Sequence, residues 1–165
     1  MPVLSRPICL VILVAGLVSA PACANAGPPP GEAMRQGQMP RLSASDTLAM
    51  CFQRIGDPAG RSDCIGEYTR ACATLSPDGQ SDPGIARCAS EEYRAWQARL
   101  EAAEQSLPED SGNSRDAWLA QSEADCDQLA AQHENADQAD RARAECLLQA
   151  TAERTIELQQ QAASD

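Results

Sequence analysis

The residues of this chain that could carry chemistry are its cysteines, its single histidine and its many carboxylates. Beyond the first 26 residues, the cysteines follow one another at intervals of 13, 8, 16, 38 and 20 residues: Cys51, Cys64, Cys72, Cys88, Cys126 and Cys146. A zinc site needs clustered ligands, such as two cysteines separated by two residues, and these intervals contain no such cluster. An even number of cysteines in a small exported protein is typical of disulfides. We therefore expect three disulfides and neither a metal nor another cofactor.

The other candidate catalytic groups lack suitable neighbours. His133 lies in the polar stretch HENAD, with no cysteine or second histidine beside it, and a nucleophile needs its base within hydrogen-bonding reach. Glu91 with Glu92, and Asp125 with Asp127, resemble acid-base pairs. Neither pair lies in an apolar stretch that would raise a carboxyl pKa. We interpret both pairs as solvated helix surface and predict that the protein is not an enzyme.

The first 26 residues have the pattern of a secretory signal peptide. Arg6 precedes an apolar run over residues 8–18, and the small residues Ala24, Asn25 and Ala26 follow. This run is much shorter than the ~20 residues that cross a membrane, and no later segment is apolar enough to do so. We predict a signal peptide over 1–26 and a periplasmic or secreted protein. A lipoprotein anchored through Cys23 is the alternative.

The charge of the predicted mature chain restricts its partners. Residues 27–165 contain 12 Arg, no Lys and 24 acidic residues, which gives a net charge of -12. Such a balance disfavours nucleic acid and anionic membranes, and it favours a cationic partner through long-range steering. The alternative is that acidity simply keeps an exported protein soluble.

Large apolar side chains are scarce in this chain. Leu, Ile, Val and Phe together account for 15 of the 139 residues from Gly27 onward, which is below the ~20% under which a highly charged chain is usually disordered. Apolar burial alone is therefore insufficient, and we expect disulfides to supply the difference. Closing the loop between Cys126 and Cys146 should contribute roughly 3 kcal/mol.

The apolar periodicity predicts an all-α fold, a small bundle of about five helices over 45–161. Residues 27–44 are rich in Pro and Gly and predict a disordered leader. The helices are expected to start at Ser43 or Ser45, near Ser62, at Asp82, near Ser114 and at Asn135. Trp96 and Trp118 lie on the apolar faces of consecutive helices, so we interpret them as core residues.

The positions of the cysteines relative to the predicted turns suggest how they pair. Cys126 and Cys146 each lie ten residues from Ala136, so in an antiparallel hairpin both sit ~15 Å from the turn and can meet. Six cysteines allow about 15 pairings, and those of the first four remain open. We favour Cys51 with Cys64 and Cys72 with Cys88, since each pair flanks a predicted break.

Two elements of the C-terminal half have a recognisable spacing. Trp118 and Cys126 lie eight residues apart, as in W-x-x-x-R-D-x-x-C, and the second element consists of Cys146, Arg154, Thr155 and Leu158. In both elements this half resembles the LprI-like family of exported helical lysozyme inhibitors. Glu101 and Glu104 stand where the family has Asn and Tyr. The resemblance implies inhibition of c-type lysozyme, a cationic enzyme, by steric and electrostatic occlusion of its substrate cleft.

The same resemblance leaves two functional hypotheses. We predict that the contacts with the enzyme lie on an acidic stretch or in the turn around His133; the stretch consists of Glu101, Glu104, Glu109 and Asp110. A merely solvated helix face is the alternative for this stretch. The competing function is a non-catalytic periplasmic scaffold or interaction module with another partner. The oligomeric state does not follow from the sequence.

Overall fold

The computed structural model describes residues 42–107 and 115–164, which form helices and no strand. In chain order the elements are α1 (Ala44–Ile55), a 3-10 helix (Pro58–Cys64), α2 (Glu67–Leu75), α3 (Asp82–Gln105), α4 (Arg115–Ala130) and α5 (Ala136–Ala162). The predicted all-α class with five α-helices is confirmed. The predicted signal peptide, and the predicted leader except for its last three residues, lie outside the described residues.

Three helices begin with a side chain that accepts a hydrogen bond from a free backbone N–H group. Ser43 accepts from the Asp46 N–H at 3.1 Å, and Asn135 accepts from the Gln138 N–H at 3.2 Å, as the sequence predicts. At α3 the cap is Ser81, which accepts from Gly84, whereas we expected Asp82.

The second helix starts later than expected. In place of one helix from about Ser62, the chain forms the 3-10 helix up to Cys64 and begins α2 only at Glu67. Gly66 separates the two with a φ of 77°, a left-handed conformation that only glycine adopts at little cost. As a glycine, Gly66 has no side chain to cap α2.

A buried carboxylate from α3 supplies that cap. The Glu92 side chain is 0% exposed and accepts hydrogen bonds from the backbone N–H groups of Gly66 at 2.7 Å and Thr69 at 2.8 Å. The Thr69 hydroxyl also donates to it at 2.8 Å, and the Trp96 indole N–H donates at 3.3 Å. Glu92 therefore fixes the start of α2 against the middle of α3.

The interpretation of Glu91 and Glu92 as a solvated pair is wrong for Glu92. Glu91 is only partly buried, and its carboxylate accepts a hydrogen bond from the Tyr68 hydroxyl. The two neighbours differ because adjacent positions on a helix point about 100° apart, so one can face the core while the next faces its edge. The other pair, Asp125 and Asp127, is exposed as expected.

The longest helices, α3 and α5, lie parallel to each other. Near their starts Arg141 of α5 pairs with Asp82 of α3 at 3.1 Å, and near their ends Leu158 packs with Leu100. The α4 helix runs antiparallel to α5, because the two are joined by a short turn and bridged by Cys126 and Cys146. This is the predicted C-terminal hairpin.

Two apolar clusters hold the helices together. The larger one joins α1, the 3-10 helix, α3 and α5, and it includes Leu48, Trp96, Leu148 and Ile156. Leu100 and Leu158 form the smaller one with Ala103, and Trp118 of α4 packs against it. Trp96 is fully buried, and Trp118 is partly buried, so both tryptophans are core residues, as predicted.

Each disulfide joins two successive helical segments. The pairs are Cys51–Cys64, Cys72–Cys88 and Cys126–Cys146, with Cα–Cα distances of 5.8, 5.8 and 5.6 Å. These are the pairs that the sequence favours. The first joins α1 to the 3-10 helix, the second joins α2 to α3, and the third joins α4 to α5. The third matters most for α4, where Ser122 and Cys126 are the only buried residues.

Removing the hairpin disulfide should destabilise the fold. We expect the double substitution Cys126→Ser and Cys146→Ser to lower the free energy of unfolding by roughly 3 kcal/mol, because the unfolded chain regains the freedom of the open loop. Urea unfolding followed by circular dichroism measures this change. Gln128→Ser, at an exposed position of α4, controls for placing serine in the helix. Identical unfolding curves for the double variant and wild type would contradict the role of this disulfide.

Replacing the buried carboxylate should also be costly. Glu92→Gln puts an amide NH₂ group where a carboxylate oxygen accepts hydrogen bonds, so at least one buried N–H group loses its partner. We expect a loss of about 3 kcal/mol in the free energy of unfolding. The matched control is Glu91→Gln, which we expect to cost less than ~1 kcal/mol because a single exchangeable hydrogen bond is affected. Equal losses for the two variants in urea unfolding would show that the Glu92 contacts contribute little.

Candidate interaction surface

The residues that match the family elements are interior residues of the fold. Thr155 and Leu158 are buried, and the Thr155 hydroxyl donates to the Thr151 carbonyl at 2.7 Å. The Arg154 side chain is only 12% exposed and pairs with Glu157 at 2.7 Å. Together with Trp118 and the Cys126–Cys146 disulfide, these residues hold α3, α4 and α5 together and present little surface to a partner.

The residues predicted as a partner surface are separated by the fold. Glu101 is exposed on α3, and Glu104 is partly buried and pairs with Arg115 of α4 at 3.5 Å. Glu109 and Asp110 lie outside the described residues. His133 is exposed in the turn between α4 and α5.

Glu101 and His133 lie at opposite ends of the α3–α5 pair. The turn that contains His133 precedes the start of α5, whereas Glu104 is close to the level of Leu158, near the end of α5. The 27 residues of α5 span about 40 Å at 1.5 Å per residue. The two parts of the predicted surface therefore do not form one compact patch.

The end of the hairpin formed by α4 and α5, which we call the hairpin tip, is acidic. Residues 123–140 contain six carboxylates and no arginine, and all six are exposed: Glu123, Asp125, Asp127, Glu134, Asp137 and Asp140. Asp127 pairs with Arg143. In the sequence, this surface is indicated by the absence of arginine across 18 positions. That absence is less apparent than the four acidic residues between positions 101 and 110.

An open groove between α3 and α5 differs from the tip in its charge. It encloses about 440 Å³, and its lining includes Ser90, Tyr93, Arg94 and Arg143. The pKa of the Tyr93 hydroxyl is raised, first by burial and then by the negative charge of Glu123. The described lining contains no cysteine and no histidine, and its one carboxylate is that of Asp140.

One group of side chains has the composition of a metal site but not its chemistry. Cys51, Cys64 and Glu67 place potential ligand atoms within 4.8 Å of one another. The two sulfur atoms are bonded to each other, and zinc binds cysteine as a thiolate. Glu67 instead pairs with Arg54 at 2.7 Å.

The family to which the chain belongs follows from comparison with known proteins. None of the helices in the described ranges has the length and apolar character needed to cross a bilayer. Comparisons with curated proteins and with solved structures found no match. The family model described as lysozyme inhibitor LprI matches residues 72–158, which are 87 of the 165 residues. The matched segment runs from α2 through most of α5 and includes the interior residues described above. The chain is therefore a member of the LprI lysozyme inhibitor family.

Proposed function

We propose that this protein is an exported inhibitor of c-type lysozyme, and that it binds the enzyme and covers its substrate cleft. The observation that carries the proposal is the match of residues 72–158 to the lysozyme inhibitor LprI family. Occlusion requires only a complementary surface, so no catalytic group is needed on this chain. The three disulfides and the family suit a protein of the periplasm or the extracellular space.

The charge of the protein supports the choice of a c-type lysozyme as target. The chain carries a formal net charge of -11, and c-type lysozymes are strongly cationic. Opposite charges accelerate the encounter of two proteins and orient their approach. The hairpin tip is the best candidate for the contact, because its six exposed carboxylates are accompanied by no arginine between positions 123 and 140.

The alternative function is that of a non-catalytic interaction module with a different partner. Two surface observations favour it. Glu101 and Glu104 occupy positions where the family has Asn and Tyr, and Glu104 is engaged with Arg115 at 3.5 Å. The residues that match the family are interior, so the match constrains the scaffold more strongly than the surface.

A lysis assay with charge variants tests the proposal. The oxidised protein from Gly27 onward should slow the lysis of bacterial cell walls by a c-type lysozyme, and the inhibition should weaken as salt increases. Neutralising two tip charges, with Glu123→Gln and Glu134→Gln, should lower the association rate at low salt about threefold to tenfold. The association rate is measured by surface plasmon resonance.

The matched control neutralises the same number of carboxylates at positions outside the tip. Glu101→Gln with Glu153→Gln changes two exposed carboxylates on α3 and α5. At the same salt concentration it should lower the association rate less than the tip variant does, because these carboxylates lie farther from the proposed contact. Equal effects of the two variants would remove the tip from the proposal. Lack of inhibition at a large molar excess of oxidised protein would instead leave the interaction module as the better function.

A further inference from the structure

Two arginines from different elements lie against the same aromatic ring. The guanidinium carbon of Arg61, in the 3-10 helix, is 4.9 Å from the centre of the Phe52 ring, and that of Arg99, in α3, is 4.5 Å from it. The ring itself is held by an edge-to-face contact with Trp96, with 5.6 Å between ring centres. A cation placed over an aromatic ring is stabilised, so Phe52 fixes the positions of both guanidinium groups.

These arginines lack the carboxylate partners that other arginines of the protein have. Six of the described arginines form ion pairs: Arg54, Arg87, Arg115, Arg141, Arg143 and Arg154. Arg70 and Arg94 form none, but they are exposed to water. Arg61 and Arg99 are partly buried, and within the described ranges no carboxylate lies at ion-pair distance from either.

The two positive charges therefore act on each other, and among the described residues no carboxylate pairs with either. The pKa of Arg99 is lowered, first by burial and then by the charge of Arg61. Arg61 has one neutral partner, the Gln159 side-chain oxygen at 2.5 Å, whereas Arg99 has no hydrogen-bond partner among the described residues. Both guanidinium groups thus retain donors that can reach a ligand.

The surrounding scaffold holds the two arginines together. Phe52, Arg61, Arg99 and Gln159 come from α1, the 3-10 helix, α3 and α5, and the Cys51–Cys64 disulfide joins the first two elements next to the ring. Like charges that a rigid scaffold holds together are stabilised when an anion binds between or beside them. The planar guanidinium fork matches the oxygens of carboxylate and phosphate groups in particular.

We propose that Arg61 and Arg99, positioned on Phe52, form a binding site for a carboxylate or phosphate group of a small ligand. The proposal goes beyond lysozyme inhibition, because Phe52, Arg61 and Gln159 lie outside the segment 72–158 that matches the family, and only Arg99 lies within it. It depends on the N-terminal part of the fold, which supplies Phe52 and Arg61.

Thermal unfolding in different salts tests this site. The full oxidised protein is melted in sodium phosphate, sodium acetate and sodium chloride at the same pH and ionic strength. We expect phosphate to raise the melting temperature by about 4 °C over chloride at roughly ten times its dissociation constant. A similar rise in acetate identifies a site that also accepts carboxylates, and a rise in phosphate alone identifies a phosphate site.

Variants separate the site from the general stabilising effect of phosphate on proteins. Arg61→Gln with Arg99→Gln should lose the rise while melting in chloride within about 2 °C of wild type. Arg94→Gln removes an exposed arginine of the same helix α3 and should keep the wild-type response. Calorimetric titration of inorganic phosphate into each protein provides the second measurement. A wild-type response in the double variant, or equal melting of the wild-type protein in all three salts, would overturn the proposal.

Discussion

The contact between α3 and α5 is made with few large apolar side chains, and disulfides and polar contacts reinforce the apolar packing that attaches the remaining elements to it. The largest fully buried apolar side chains are Trp96, Leu48, Leu100 and Leu158, and many other buried positions are alanine, cysteine or threonine. Small side chains let helices approach closely, but they bury little apolar area. Because burial stabilises the fold by roughly 25 cal/mol per Å² of apolar area, each of these side chains contributes little. Disulfides between successive elements therefore limit the freedom of the unfolded chain where burial is insufficient.

In the interior, the Glu92 carboxylate also compensates for the small amount of apolar burial. A buried carboxylate is costly unless donors surround it, and here two backbone N–H groups, a hydroxyl and an indole N–H surround it. This set of hydrogen bonds ties α2 to α3, which the Cys72–Cys88 disulfide also joins. The Cys51–Cys64 disulfide links α1 to the 3-10 helix, and these two elements hold Phe52 and Arg61 beside Arg99.

Local signals in the sequence predicted much of this fold. Features that depend on residues far apart in the sequence could not be predicted. The caps at Ser43 and Asn135, the apolar face of α3 and the hairpin symmetry around Ala136 are encoded within a few turns of helix, so they could be predicted. Glu92 lies on the same face of α3 as the buried Cys88 and Trp96, but the donor that makes its burial tolerable, the Gly66 N–H, lies 26 positions earlier. No local pattern in the sequence indicates that partner. The separation of Glu101 from His133 follows from the parallel packing of α3 and α5, which only tertiary contacts determine.

The distance along α5 between the hairpin tip and the Arg61–Arg99 site determines whether binding at one affects binding at the other. The hairpin tip lies at the start of α5, and the arginine cluster includes Gln159 near its end. The 23 residues between Ala136 and Gln159 correspond to about 35 Å of helix, several times the ~8 Å screening length at physiological salt. A cationic protein at the tip and an anionic ligand at the cluster would then bind with little electrostatic influence on each other. The negative tip can attract its partner while the arginines, held apart from it by the length of the bundle, keep their affinity for an anion.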